Sequence, residues 1–171
     1  MDLYRTLGYV ALGSYMRRLG EISQQASAQV YQMYGMNFEV KWFPVFLAVA
    51  QKEAETVSKI AEYIGQSHVS VSLMVKEMVK ADFLETQKGL IDKRETNVRL
   101  TEKGEQMYTR MKELLEDLED TMNEVKNECE TDVLRALMEY EQVILRKGLP
   151  ERIKSRLKIR EQTKRLWTKS P

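Results

Sequence analysis

Apolar residues recur every three or four positions through the first part of the chain: Leu3, Leu7, Val10, Met16, Leu19, Ile22, Ala26, Val30 and Met33. That period belongs to a helix with one apolar stripe. No proline falls between residues 3 and 34, and Gly35 stands where a helix end favours glycine. The pattern therefore predicts one long helix over about 3–34. Asn37 is placed to cap a second helix carrying KWFPVFLAVAQ, with Pro44 in its first turn or at a kink. The clustered Trp42, Phe43, Phe46 and Leu47 read as core, because closely spaced aromatics on a short helix usually pack together.

The next segment changes rhythm. Thr56 caps VSKIAEYIG, about two helical turns ending at Gly65, and Ser67 opens HVSVSLMVKEMVKADF after almost no connection. Two short helices joined so tightly, the first closed by glycine, form a helix-turn-helix pattern. Val71, Met74, Val75 and Met78 fall on one face and are expected to pack on Ile60, Ala61 and Ile64. Ser67, His68, Val69, Ser70, Ser72, Leu73 and Lys76 then face outward, with Glu77 at the edge.

Alternation replaces the helical period in FLETQKG and TNVRL, two short strands around a loop at 88–96. The loop holds Lys88, Asp92, Lys93, Arg94 and Glu95. Thr101 caps a long helix whose stripe runs Met107, Met111, Leu114, Leu115, Leu118, Met122, Val125 and Cys129, longer than an adjacent small domain can cover. Thr131 or Asp132 restarts the helix, and Val133, Leu134, Leu137, Met138, Val143 and Ile144 extend an apolar face to Gly148.

Composition narrows the function classes. A length of 171 residues suits one domain with an appended element. At 43% hydrophobic and 31% charged, the chain has material for a core and too much charge for a membrane protein. No signal peptide or membrane span is read in it, and a cytoplasmic location is expected. Cys129 and His68 are the only residues of their kinds, which excludes an internal disulfide and multi-Cys or multi-His metal sites. No catalytic constellation, metal site or cofactor motif is read, so an enzyme is not expected. Net charge is +1, yet residues 151–171 carry eight Lys/Arg against two acids, about +6, which leaves about −5 for the remainder.

Each feature admits a plain and a functional reading. A Ser-rich helix start is a solvated cap, or a set of hydroxyls for phosphates and base edges, with Val69 and Leu73 for thymine methyls. His68 lacks an identifiable catalytic partner and suits a DNA or solvent contact. The loop at 88–96 is an ordinary exposed hairpin, or a wing whose Arg94 enters a narrow minor groove while Asp92 orients it. Position favours the wing, since the loop follows a helix-turn-helix directly. Cys129, on the apolar stripe, is expected to be buried and inert. The acids Glu113, Glu116, Asp117, Glu119, Asp120 and Glu124 read as a solvated face.

IAEYIGQSHVSVSLMVKEMVKADFLE followed by DKRETNVRLTEKG resembles the MarR family of winged-helix regulators, whose wing reads D-x-R, a strand, then L-T-x-x-G. Asp92, Arg94, Leu100, Thr101 and Gly104 match in order and spacing. The resemblance spans about 5–147 and is most specific over 56–104. It implies an obligate homodimer built by the first and last helices, one winged helix on each half of a pseudo-palindrome, and regulation by a small ligand or signal. FEVKWFPVF together with SH at the start of the recognition helix is similar to a branch often fused to an N-acetyltransferase, an activity the remaining residues cannot form. Many members carry a basic or amide side chain where this chain has Leu73, and the cysteine of redox-sensing members near the first helix is absent.

The reading is a mainly α chain with a small β-wing: a winged helix-turn-helix domain plus a helical dimerisation domain. Residues 1–147 form the MarR-like part, with dimerisation helices at about 3–34 and 101–147 around a winged helix at about 38–100. Residues 148–171 form a basic tail, expected to be partly helical and packed on the body, with a DNA-contacting arm or a remnant linker as alternatives. The expected function is sequence-specific binding of double-stranded DNA as a homodimeric repressor, with Lys88 and Lys93 on phosphates. An effector pocket is expected among Tyr9, Tyr15, Phe38, Trp42 and Phe46. The rival reading is a winged helix that docks proteins and does not bind DNA.

Overall fold

The computed structural model describes residues 2–52, 55–88 and 96–167, with side chains for all of these except Lys52, Glu55 and residues 163–167. Asp92, Lys93 and Arg94 lie outside the described residues. Gly8 divides the helix expected over 3–34. Its positive φ of 53° ends α1 (Leu3–Leu7), a tight turn follows at Gly8–Ala11, and α2 runs Leu12–Met33. Asn37 does not act as the expected cap. The chain enters a tight turn at Val40–Trp42 and continues as α3 (Phe43–Lys52), with Pro44 in the first turn, where its missing N–H leaves no helical bond unmade.

Thr56 and Ser67 cap α4 (Val57–Tyr63) and α5 (His68–Lys80), each hydroxyl accepting from the backbone N–H three residues on. A strand pair was legible in the alternation; a third strand was not. Residues Glu55–Thr56 form β1, which joins β2 (Leu84–Lys88) and β3 (Thr96–Leu100) in an antiparallel sheet of order β1-β3-β2. Two residues offer no period to detect, and β1 exists because Glu55 and Thr56 meet Val98 and Asn97 across the ladder. Beyond the sheet come α6 (Glu102–Glu128), α7 (Val133–Arg146) and α8 (Leu149–Trp167). Asp132 caps α7 by accepting from Arg135.

Two compact units emerge, Met1–Leu115 and Glu116–Pro171. The first has a core in which Phe46, Ile60, Met78, Leu84, Val98 and Met111 are fully buried. Phe38 sits among the rings of Tyr31, Trp42, Phe46 and Phe83, all edge-on with centroids 5.0–5.8 Å away, the geometry that the aromatic quadrupole favours. The second unit is different. Among its described side chains, residues 116–162, none is buried. Met122, Val125, Leu134, Leu137, Met138 and Leu145 all stand in solvent. Cys129, expected to be buried on the stripe, lies past the end of α6 and is exposed. The tail, expected to be partly helical, forms α8, whose described side chains are exposed except for a half-buried Arg152. No helix among the described residues is long and apolar enough to cross a membrane.

Candidate nucleic-acid interface

A protein surface that reads a duplex needs a projecting element, side chains free to bond and a rigid mount. Helix α5 supplies the first two. Ser67 accepts from the N–H of Ser70 and shares a 2.9 Å hydroxyl contact with its side chain, which fixes the first turn. Ser67, His68, Val69, Ser70, Leu73 and Lys76 are exposed, whereas Ser72, expected outward, is half-buried. Val69 and Leu73 are 69% and 55% exposed, so two aliphatic side chains stand on the outer face of a helix whose inner face is packed. That other face holds Val71, Met74, Val75 and Met78, all buried, against buried Ile60 and Ala61 and a partly exposed Ile64.

The mount joins residues already singled out in the sequence, Trp42, Glu77, Thr101 and Gly104, to three that were not, Lys41, Asp82 and Lys103. In the last turn of α5, Glu77 accepts from the Trp42 indole N–H at 2.8 Å and pairs with the Lys41 ammonium at 2.7 Å. The bond to Lys41 first, and the bond to Trp42 second, hold the Glu77 carboxyl below the usual carboxylate range; Lys41 is raised by the same bond. At the C-terminal end, Asp82 adopts φ 63°. Phe83 N–H donates to the Met78 carbonyl and Asp82 N–H to that of Val79, a Schellman closure. Gly35 and Gly65 close α2 and α4 with the same bond pair, so Asp82 occupies a glycine's place.

The three carbonyls that follow are then gripped by the start of α6. Lys103 Nζ donates to Ala81 O at 2.7 Å, Thr101 Oγ1 to Asp82 O at 2.6 Å and Thr101 N–H to Phe83 O at 3.1 Å. Thr101 also caps α6, accepting from Gly104 N–H. A Cβ on Gly104 would overlap the Phe83 carbonyl oxygen. Thr101 and Gly104 thus form a clasp that joins the exit of α5 to the entry of α6, and the glycine is there for close approach.

Strands β2 and β3 leave the same clasp in register from Leu84↔Leu100 to Lys88↔Thr96, with an Arg99–Glu85 ion pair across one rung. Lys88, exposed, ends β2 where the described part of the hairpin stops. Of the five aromatics expected to line an effector pocket, three come together and two do not. Phe38, Trp42 and Phe46 are core, Tyr15 leans on Tyr4, and Tyr9 is 88% exposed. A cavity of about 400 Å³ instead opens beside the clasp, lined by Trp42, Phe83, Lys103, Met107 and Arg110 among others. Arg110 also ties the end of α2 in place by donating to Tyr34 O and Gly35 O. No group of three or more His, Cys, Asp or Glu among the described residues could hold a metal ion.

No family model matches the chain. A curated relative, the uncharacterized HTH-type transcriptional regulator YfeR of Shigella flexneri, is 36% identical over 91 residues, 52% of this chain and 27% of the relative. The match thus spans about a quarter of that protein's length. Among solved structures, a mutant MarR from E. coli complexed with operator DNA is similar at a TM-score of 0.62 and 16% identity, over 85% of this chain and 99% of that one. The M. tuberculosis regulator MOSR in complex with DNA gives 0.60 at 18% identity, over 76% and 90%. PcaV from Streptomyces coelicolor, in complex with its natural ligand, gives 0.59 at 15% identity, over 80% and 92%. Identities this low speak for shape, and the shape is that of the MarR-type winged-helix regulators.

Proposed function

We propose that the chain is a MarR-family transcriptional regulator that binds double-stranded DNA as a homodimer and represses the genes beside its operator. The observation that carries this reading is the exposed face of α5, a capped helix start with solvent-facing hydroxyls, one imidazole, two unpacked aliphatic groups and Lys76. A helix of this kind enters a major groove with its N-terminal residues at the base edges. Ser67, Ser70 and Lys76 reach bases or phosphates there, Val69 and Leu73 meet thymine methyls, and His68 works at the groove edge. Arg94, oriented by Asp92, enters the neighbouring minor groove. Lys88 and Lys93 hold phosphates without reading sequence.

The homodimer is supported by the second unit. Ordering a residue costs about 1–2 kcal/mol of backbone entropy, and residues 116–162 bury no described side chain that could offset it. A second copy, matching Met122, Leu134 and Met138 with the same residues, supplies the missing core. Pairing also sets two α5 helices about 34–36 Å apart, the repeat of one face of B-DNA. For the response to a small molecule, the cavity beside Trp42 and Lys103 is the site, since a ligand there bears on the clasp that carries α5.

A fluorescence titration of duplexes, one taken from beside the gene and one scrambled, over a salt series tests the reading. Specific binding with a steep salt slope is expected. Equal, salt-independent or absent binding would transfer the fold to the protein-docking alternative.

A further inference from the structure

Helix α8 carries an ordered but unpartnered face. Leu149, Ile153 and Leu157 recur every four residues, as do Arg152, Arg156 and Arg160, so an aliphatic row and a guanidinium row run side by side along the helix. Arg152 turns back, donating to Lys147 O at 2.7 Å and Val143 O at 3.2 Å, and thereby anchors the start of α8 to the exit of α7. Leu149, Ile153 and Leu157 are 59%, 54% and 49% exposed. Arg156 and Arg160 have no ion-pair partner among the described residues.

The same unit contains the chemical complement. On the last two turns of α6, Val125 is exposed between Glu124 and Glu128, which lie four residues apart on one edge of the apolar stripe. No ion pair among the described residues joins this edge to α8 of the same chain. We propose that α8 of one copy lies along the Glu124–Glu128 edge of α6 in a second copy, a strap in which Arg156 and Arg160 meet the carboxylates and the aliphatic row covers Val125. Arginine suits this contact because its planar fork bonds carboxylates in pairs while its stem packs on apolar surface. The aliphatic row separates a protein partner from nucleic acid, since phosphates give Leu149, Ile153 and Leu157 nothing to pack against. The proposal rests on the homodimer reading and extends it to a segment outside residues 1–147.

Three variants of the full chain decide it, each studied by sedimentation equilibrium: Arg156→Glu with Arg160→Glu, Glu124→Arg with Glu128→Arg, and all four changes together. Each pair alone is expected to weaken self-association about ten-fold, equivalent to about 1.4 kcal/mol, and the fourfold variant to restore it. An unchanged dimer in both pair variants overturns the strap and leaves the homodimer standing. If the Arg156→Glu/Arg160→Glu dimer is unchanged but its DNA salt slope falls, α8 is a phosphate-binding arm and the strap is likewise overturned. Weakening without rescue rejects this pairing of faces, and a monomeric parent protein rejects the homodimer with it.

Discussion

Asp82 shows how a single residue can carry backbone geometry that its neighbours achieve with glycine. An L-residue in the left-handed region is disfavoured by about 1–2 kcal/mol, although a short polar side chain tolerates it better than most. Asp82→Gly is therefore expected to stabilise the protein by up to about 1 kcal/mol, and Asp82→Val to destabilise it by about 1–2 kcal/mol; thermal melts of the two variants give the sign directly. Glu77 makes a pH prediction. Its folded-state pKa is depressed, so the contribution of its bonds to Lys41 and Trp42 is complete above the ordinary carboxylate value of 4.5 and fades as pH falls through the lowered one. Glu77→Gln should melt below the parent at pH 7, and the gap should close in acid. Tyr31 acts on the other flank. Burial pushes its phenol up to about 12, so its contribution holds below pH 10 and is lost as pH rises towards that value. These residue roles were hidden in the sequence because each depends on a partner far along the chain, Trp42 for Glu77 and Thr101 for Asp82.

At the scale of elements, the helix pair and the hairpin were legible from period and caps. Thr56, Gly65 and Ser67 punctuate α4 and α5 where the sequence places them. Two features escaped the pattern. The break at Gly8 sits inside an unbroken apolar period, and only its backbone angle reveals it; β1 owes its existence to β3. Among the proposed contacts, Arg94→Ala should weaken specific DNA binding by about 1–3 kcal/mol while leaving self-association intact. Lys76→Ala should lower affinity for all duplexes alike and reduce the salt slope by about 1 if Lys76 holds a phosphate, or relax one base position if it reads a base edge. A binding series over salt and single-base variants separates these outcomes. The effector residues were the least legible part. A row of aromatics looks the same whether it lines a pocket or fills a core, and here Phe38 and Phe46 fill the core.

At the scale of the whole molecule, the chain divides into a unit with a core and a unit in which no described side chain is buried. The over-long apolar stripe announced it in the sequence, but what would cover the stripe is not encoded in any local pattern. Sedimentation at micromolar concentration should find a dimer. Dilution should lower the melting temperature, since association that favours only the folded state adds stability by mass action. A folded monomer with a concentration-independent melt would remove the dimer from the account.

The coreless stretch from Glu116 onward also bears on how long each copy survives after synthesis. An unmatched copy presents several helical turns with no described side chain buried, and local unfolding there opens backbone to proteases. A matched pair closes the same backbone. If the proposed dimer forms, turnover would remove surplus single copies and spare paired ones, so the amount of protein would be trimmed by the surface that assembles it.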